Sequence, residues 1–414
     1  MSERPARPAP HAAFPNRAML SSATLALAVL TLALPAHAEP TVTILDLPFR
    51  ARSLRGSGSE VAVAVATSGL LPLARPRGAN PAQGDDDVPI VVVWGDGGGA
   101  ALSLVDGQVA TTLLGAEAVE GLAAAETPRG ALPGSRRAVS GPLSVHLAGP
   151  VPALSGGPEQ VASLVVRERQ PVAMGGDPKP VPVVTTTLSP APDTAFALRR
   201  PRIARFAGKP VIVAVTVAPD GGSALALFGR SEAGADAKPE AAKPEAGKPE
   251  AAKPEAGKSA PSWVRLARGP TQATAPGGQP LKPAAVADFT GSGQTQVAAV
   301  AAPEAAGLLQ LWTLEAGALR VAQEAPGYTN VSPGEGEADL SALVEPAGPG
   351  APELALPVSD RSALAILSLK DGIRERVRAP LPGLAAFGLA GLGRGSAARL
   401  FVGLADGRIA VVTP

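Results

Sequence analysis

Short apolar runs separated by small and polar residues dominate the chain beyond its N-terminal segment. The runs are rich in valine, leucine and alanine, and clusters of glycine, proline, aspartate and serine stand between them. Residues 88–94 and 211–215 are apolar at nearly every position, which is typical of strands buried on both faces. Helical periodicity is hard to find, and 47 glycines and 45 prolines would interrupt helices of ordinary length. The pattern therefore predicts an all-β protein.

The apolar runs repeat, because a pair of small or polar residues precedes each of them. The first residues of the runs are Val61, Val88, Val161, Val211, Val297, Leu354 and Leu400. A second run often follows and ends near an Asp-Gly pair, as at Asp106-Gly107, Asp371-Gly372 and Asp406-Gly407. Such pairs suit tight hairpins because they tolerate positive φ. A third strand is expected after several of these second runs, over 108–114, 318–323 and 373–377.

The length of the repeat predicts a β-propeller, since repeats of about 40–60 residues with three or four strands each are typical of that fold. We expect one domain over 39–414, with about seven blades and a range of six to eight. The gap between Val61 and Val88 is too short for a blade, so the two share one or the register is wrong there. A further blade is expected near 143–147, and 41–47 is expected to pair with the C-terminal hairpin. A string of β-sandwich domains fits the repeated hairpins less well.

Residues 1–38 have the pattern of a secretory signal peptide. Arg4, Arg7 and Arg17 precede an apolar run over 19–34, and Ala36-His37-Ala38 provides a small-residue cleavage site. The run is shorter than the roughly 20 residues that a membrane-spanning helix needs, and no later segment is long and apolar enough. We therefore expect Sec-type export, cleavage after Ala38 and a periplasmic or secreted protein.

The segment 237–258 repeats the unit Lys-Pro-Glu-Ala-Ala/Gly with a period of five residues. A proline in every unit removes the backbone bonds of a helix, and nothing in the segment can bury apolar area. We expect a disordered, extended loop inserted within the propeller. A spacer or a cell-wall contact is the alternative interpretation.

The composition excludes much chemistry. The 414 residues contain no cysteine, which excludes disulfides, thiolate catalysis and cysteine-ligated metals. Lys+Arg is 37 and Asp+Glu is 36, so no strong field would attract nucleic acid. Beyond residue 38 the only histidine is His146, within an apolar run that favours a structural role over a catalytic one. We therefore assign no catalytic, cofactor-binding or metal-ligating residue and expect no cofactor.

Two other features invite a functional interpretation and favour a structural one. The glycine-rich segments 95–100 and 391–395 resemble nucleotide-binding loops, but a strand rather than a helix follows the first, so a hairpin turn is expected. Trp94 and Trp312 lie within apolar runs, where packing in the core is the default. Trp263 is the one tryptophan for which exposure is considered, although it too is expected to begin a strand.

The segment Asp288-Phe289-Thr290-Gly291-Ser292-Gly293, followed by an apolar run, resembles the FG-GAP/VCBS repeat of integrin-like propellers. Weaker echoes occur at 54–61, 84–88 and 392–396. The resemblance implies a propeller, and in that family these loops often bind calcium. Here Thr290 and Ser292 replace the acids that calcium would need, so we expect turns without metal. Asp85-Asp86-Asp87 is the best remaining cation candidate, with a solvated turn as the alternative.

The leading hypothesis is an exported, non-catalytic propeller that binds a protein or a cell-envelope ligand through the loops of one face. The first alternative is a propeller hydrolase or lyase that acts on polysaccharide, which predicts acids or arginines at the central funnel. The second is a calcium-stabilised adhesion module, which predicts a rise in Tm with added calcium. The sequence leaves the ligand and the oligomeric state open.

Overall fold

The computed structural model describes residues 39–71, 89–154, 160–170, 182–231, 262–274, 278–333 and 338–414. Three of the sequence predictions concern residues outside these ranges. They are the signal peptide over 1–38, the Lys-Pro-Glu segment over 237–258, and the acidic triplet Asp85-Asp86-Asp87. No helix among the described residues is long and apolar enough to cross a membrane.

The first described strand belongs to the last blade along the chain. A four-stranded antiparallel unit with two helices follows it in sequence. The first strand is β1 (Thr41–Leu45). The unit, blade 1, contains β2 (Ser53–Arg55), β3 (Val91–Gly95), β4 (Gly98–Val105) and β5 (Gln108–Leu114). The two helices are α1 (Glu60–Thr67), between β2 and β3, and α2 (Ala116–Ala124), after β5.

A nine-stranded sheet holds the next two blades. Blade 2 contains β6 (Ala138–Ser140), β7 (Leu143–Val151), β8 (Gln160–Arg169) and β9 (Val183–Leu188). The short strand β10 (Ala195–Ala197) pairs with both β8 and β12 and so joins the blades. Blade 3 contains β11 (Arg202–Phe206), β12 (Lys209–Val217), β13 (Ser223–Arg230) and β14 (Trp263–Arg268).

Three further four-stranded sheets complete the described strands. Blade 4 contains β15 (Lys282–Ala287), β16 (Gln296–Ala301), β17 (Leu308–Glu315) and β18 (Ala318–Ala325). Blade 5 contains β19 (Ala342–Val344), β20 (Glu353–Pro357), β21 (Ala363–Ser368) and β22 (Arg374–Pro380). Blade 6 contains β23 (Ala385–Leu392), β24 (Arg399–Leu404), β25 (Ile409–Thr413) and, at its outer edge, β1. A single 3-10 turn, Gly395–Ala397, precedes β24.

The arrangement is an all-β propeller, as the repeat predicted. Within the described residues the strands form six four-stranded units, which is the lower end of the expected range and one fewer than the favoured seven. The pairing of β1 with β25, from Thr41 with Thr413 to Leu45 with Ile409, closes blade 6 with strands from both ends of the domain. The expected third strands are present as β5, β18 and β22.

Within the described residues the run at Val61 adds no blade, because it is a helix and not a strand. Ser59 caps α1, since its Oγ accepts the backbone N–H of Ala62 at 3.1 Å. Val61, Ala62 and Val65 are buried on one side of the helix against blade 1. The alternation of valine and alanine resembles a strand, but the cap and the packing surface select the helix.

Blade 2 supplies the second difference in register. The blade expected near 143–147 and the run beginning at Val161 are its second and third strands, β7 and β8. In the other blades each of the remaining aligned runs is the second strand. Of the seven apolar runs that the sequence aligned, five therefore lie in blades 2 to 6, one in each blade. The run at Val88 lies in blade 1, and the run at Val61 is the helix α1.

The core consists of apolar clusters between neighbouring blades. One cluster each joins blades 2 and 3, 3 and 4, 4 and 5, 5 and 6, and 6 and 1. The last cluster packs Phe401 of blade 6 and Leu54 of blade 1, both at most 2% exposed. On the side of blade 1 that faces away from blade 6, the cluster contains α1 and α2 in place of another blade.

Candidate functional site

A cavity of about 600 Å³ runs along the axis of the propeller. The first strand of every blade contributes to its wall, which shows that the six blades surround one central channel. The residues from these strands include Arg55, Val139, Ile203, Val286, Leu343 and Ala390. Volumes of this size are typical of pockets that hold small molecules, so the channel is the candidate site.

Three arginines converge on one carboxylate in this channel. The guanidinium groups of Arg136, Arg200 and Arg202 lie 3.0, 3.3 and 3.1 Å from the carboxylate oxygens of Asp339. Arg136 belongs to the approach to blade 2, the next two arginines to blade 3, and Asp339 to the approach to blade 5. These four residues, called the Asp339 cluster below, therefore join blade 5 to blades 2 and 3, which are not its neighbours in the ring.

The topology explains why residues so far apart in sequence meet. Arg136 and Asp339 lie two and three residues before β6 and β19, and Arg202 is the first residue of β11. The first strands of neighbouring blades run parallel, as the bridges Leu340–Leu389 and Glu345–Arg394 show for blades 5 and 6. Parallel strands begin at the same end, so the residues at their beginnings surround one end of the channel.

Lysine and backbone groups support the same end of the channel. Lys282, the first residue of β15, donates from Nζ to the carbonyl oxygen of Ala338 at 2.6 Å. Arg202 also donates to the carbonyl oxygen of Pro283 at 3.4 Å. The first contact holds the segment before β19 against blade 4, and the second joins blade 3 to blade 4.

The electrostatics of the cluster keep Asp339 ionised. Burial alone would raise the pKa of Asp339, but the positive charges of Arg202, Arg136, Arg200 and Lys282 hold it well below the ordinary value. Burial lowers the pKa of Arg200 and, with the charge of Arg136, that of Arg55, yet guanidinium groups remain charged at neutral pH. The cluster therefore consists of permanent charges.

A second ion pair lies beside the cluster. Arg55 donates from Nε to Glu126 at 3.1 Å, and the side chains are 15% and 5% exposed. The guanidinium carbon of Arg55 also lies 5.2 Å from the ring centre of Trp94, within the range of a cation–π contact. Among the described residues this end of the channel thus holds five cationic side chains and two carboxylates. Glu335 and Glu337 lie outside the described ranges.

Guanidinium groups in this arrangement recognise oxyanions. A planar guanidinium offers donors in a fixed fork that matches a carboxylate or a phosphate, and Asp339 shows that the cluster accepts a carboxylate. Arg202 and Arg200 are 24% and 15% exposed, so part of each reaches the cavity. The chemistry available here is the binding of an anion.

The residues that the sequence singled out lie elsewhere. His146 is 6% exposed in β7, and burial together with the charges of Arg167 and Arg137 lowers its pKa. Asp96 and Gly97 form the turn between β3 and β4, so the glycine-rich segment there is a hairpin, as predicted. Trp263 begins β14, as expected, but is only 6% exposed, so the exposure considered for it is wrong.

The Asp288 loop connects β15 to β16. Both carboxylate oxygens of Asp288 accept backbone N–H groups, one from Ser292 at 3.0 Å and one from Gly293 at 2.7 Å. The oxygens that calcium would use are thus engaged within the turn. Among the described residues no group of three or more acidic or histidine side chains could hold a metal ion.

No apolar run pointed to the Asp339 cluster, although the sequence contains a signal for it. The runs were aligned at the second strand of each blade, whereas the charged residues precede or begin the first strand. An alignment one strand earlier places Arg136, Arg200, Arg202, Lys282 and Asp339 at nearly equivalent positions. Charged residues just before the first strand of a blade indicate a site on the axis, because few other positions in a propeller bring residues of non-neighbouring blades together.

Comparison with known proteins assigns the chain to no family. No family model matches the chain, and no curated protein matches it either. Among solved structures the chain is similar to AofleA from Arthrobotrys oligospora, with 10% identity, 89% of this chain and 83% of that chain covered, and a TM-score of 0.35. It is also similar to the Dos1 propeller, with 8% identity, 79% and 65% coverage and a TM-score of 0.32. For BBS1N, solved in complex with ARL6DN, the identity is 11%, the coverage 78% and 74%, and the TM-score 0.29.

Proposed function

We propose that this protein is a non-catalytic binding propeller that holds an anionic ligand in its central channel. The observation that carries the proposal is the convergence of three arginines on Asp339 at the wall of a cavity of about 600 Å³. An oxyanion of the ligand would take donors from the same guanidinium groups that now contact Asp339. The proposal extends the leading hypothesis from the sequence, a binding module, by naming the central channel as the binding site and an anion as the class of ligand.

The low exposure of the cluster supports a role in recognition. Charge-assisted hydrogen bonds strengthen when water is partly excluded, and each contributes about 1.5–3 kcal/mol. The side chains of the cluster range from 5% to 24% exposed. A ligand oxyanion would therefore meet donors that the fold has already positioned, which lowers the entropic cost of binding.

Arg202→Gln is the direct test, with citrate and inorganic phosphate as probes in isothermal titration calorimetry. We expect measurable binding to the unaltered protein and a loss of at least about tenfold in affinity in the variant, because one charged donor pair is removed. Arg202→Lys keeps the charge but loses the fork, and we expect it to recover only part of the affinity.

Arg378→Gln is the matched control, because Arg378 is also an ion-paired arginine on a strand but is 56% exposed on the outer strand of blade 5. It should bind the probes like the unaltered protein. Thermal melting of every variant shows whether a loss of binding reflects unfolding. A well-folded protein that binds neither probe would refute the proposal.

The hydrolase or lyase alternative predicts acids or arginines at the funnel, and arginines are present there. A glycoside hydrolase also needs a carboxylic acid that is protonated near neutral pH. The pKa of Asp339 is instead held well below its ordinary value, and a carboxylate so held is a weak base as well. Incubation with a polyuronate, followed by a reducing-end assay, tests this alternative; release of new ends that Arg202→Gln abolishes would favour it.

Export and a relation to FG-GAP/VCBS propellers are also part of the proposal. The signal-like segment 1–38 supports export, and N-terminal sequencing of protein recovered from the native envelope should begin at Glu39. The Asp288 loop runs into the buried strand β16, as in the repeats that it resembles. Because backbone N–H groups engage both of its carboxylate oxygens, millimolar calcium should leave Tm unchanged; a rise would favour the adhesion alternative.

A further inference from the structure

Part of the wall of the channel beyond the charged end is aliphatic. Val139, Ile203, Val286 and Leu343 all line the cavity, and each comes from the first strand of a different blade, from blade 2 to blade 5. Blade 6 contributes Leu389, Ala390, Gly391 and Leu392, while the charged residues Glu345 and Arg394 line the cavity beyond the ends of β19 and β23. The polar side chains of the Asp339 cluster are thus followed by an apolar zone along the same cavity.

The strand geometry sets the separation of the two zones. Val286 lies four residues beyond Lys282, and Leu343 lies four residues beyond Asp339. Ile203 directly follows Arg202, so at about 3.3 Å per residue the aliphatic side chains begin roughly 3 Å beyond the charged end and reach at most roughly 13 Å along the channel axis. The first strands run parallel around the axis, so the zones follow one another along it.

Val139 leaves apolar surface open to the cavity. It is 46% exposed, whereas its neighbour Ala138 is 5% exposed and packs inward. Ile203 and Leu343 are partly buried against the blade clusters and also reach the cavity. Apolar surface that an unliganded channel leaves in contact with water favours an apolar occupant.

The geometry points to an aliphatic carboxylate as the class of ligand, an inference that rests on the proposed function. The carboxylate would contact Arg136, Arg200 and Arg202, and the alkyl part would extend along Val139, Ile203 and Leu343. The shared chemistry is one carboxylate on an unbranched or aliphatic body. Either an acyl chain or the C-terminal leucine of a short peptide supplies it.

Calorimetry with acetate, octanoate and 1-octanol separates the two zones. Each methylene that enters the apolar zone should raise affinity about threefold to fourfold if fully buried. We expect octanoate to bind at least about a hundredfold more tightly than acetate, and 1-octanol to bind more weakly than octanoate because it lacks the carboxylate. Acetyl-Ala-Leu, as the free acid and as the amide, distinguishes a peptide source from an acyl chain.

Val139→Ser removes apolar contact without adding charge. We expect it to weaken octanoate about fivefold and to leave citrate and acetate unchanged. Val184→Ser is the matched control, because Val184 is 52% exposed on β9, the outer strand of the same blade; it should change neither probe. Arg202→Gln should weaken all carboxylates together.

The outcomes separate the two proposals. Equal affinity for acetate and octanoate, with citrate binding that depends on Arg202, would overturn the aliphatic ligand and keep the anion-binding channel. Tight binding of 1-octanol that matches octanoate would overturn the role of the carboxylate and with it the inference. Absence of binding by any anion would overturn the proposed function itself.

Discussion

The junction between blades 6 and 1 differs in kind from the junction between blades 1 and 2. Between blades 6 and 1, strands pack directly through a buried cluster that includes Phe401, Leu54 and Val91. Between blades 1 and 2, α1 and α2 cover blade 1, and no apolar cluster among the described residues contains side chains of both blades. The ring thus has one junction in which helices replace a direct contact between blades.

Polar contacts join blade 2 to the helices of blade 1. Arg137, next to β6, pairs with Glu60 in the first turn of α1. The backbone N–H of Arg137 donates to the carbonyl oxygen of Glu126 at 2.9 Å, and Glu126 holds Arg55 of β2. Burial of apolar area contributes most of the stability of a domain, whereas partly exposed ion pairs contribute little. The junction between blades 6 and 1 therefore contributes more to the stability of the ring than the junction between blades 1 and 2.

Phe401→Ala should produce the largest effect, because it opens a cavity in the apolar junction. Phe401 is fully buried, and loss of a buried phenylalanine costs about 3–5 kcal/mol. Urea unfolding measures the change. Leu384→Ala removes an apolar side chain that is 43% exposed and is the control; a cost for Phe401→Ala no greater than that of the control would contradict the comparison.

Asp339→Asn should come next, since it leaves one buried and two partly buried arginines without their shared carboxylate. We expect a loss of about 3 kcal/mol near pH 7. The pKa of Asp339 is lower in the folded protein than the ordinary 3.8, so the stability it provides is present above that value. That stability is lost as pH falls through 3.8 toward the folded value.

The D339N variant should therefore show a flatter decline in unfolding free energy below pH 4 than the unaltered protein. Asp96→Asn is the control, because Asp96 is 66% exposed and pairs with Arg52 on the surface. It should change the free energy of unfolding by less than about 1 kcal/mol. Parallel pH profiles for D339N and the unaltered protein would show that Asp339 does not provide the acid-sensitive stability.

Glu60→Gln should produce the smallest effect of the three. Glu60 and Arg137 are 20% and 25% exposed, and pairs of this kind contribute up to about 1 kcal/mol. At 1 M salt screening should remove most of the difference between variant and unaltered protein. A double-mutant cycle with Arg137→Gln isolates the pair; a coupling that persists at high salt would place this junction in the same class as the apolar ones.

The sequence predicted the regular blades better than the irregular ones. Blades 3 to 6 each place a continuous apolar run on the second strand, such as β12 and β16, and both runs are buried. Local pattern suffices there because each strand packs between two blades. In blade 1, the helix at Val61 depends on the Ser59 cap and on a face of β3 that no blade covers, and neither is visible in the spacing of apolar residues.

The pattern of apolar runs could not predict the Asp339 cluster, because its residues lie far apart in sequence. Arg136, Arg202 and Asp339 are separated by most of the domain, and each alone is an ordinary charged residue beside a strand. Only closure of the ring brings the two guanidinium groups to 3.0 and 3.1 Å from the Asp339 carboxylate. The pattern of apolar residues predicts which residues are neighbours along a strand. A site on the axis of the propeller depends instead on contacts between residues of different blades.

The pairing of β1 with β25 has a consequence for the order in which the protein is made. Thr41 belongs to the first strand of the domain to be synthesised and its partner, Thr413, to the last. The ring cannot close until the residues of β25 have been synthesised, because contacts of such long sequence separation form late. Premature termination would leave β1 without its partner strand, an exposed edge that invites proteolysis or aggregation. The pairing in blade 6 thus makes closure of the ring depend on the synthesis of β25.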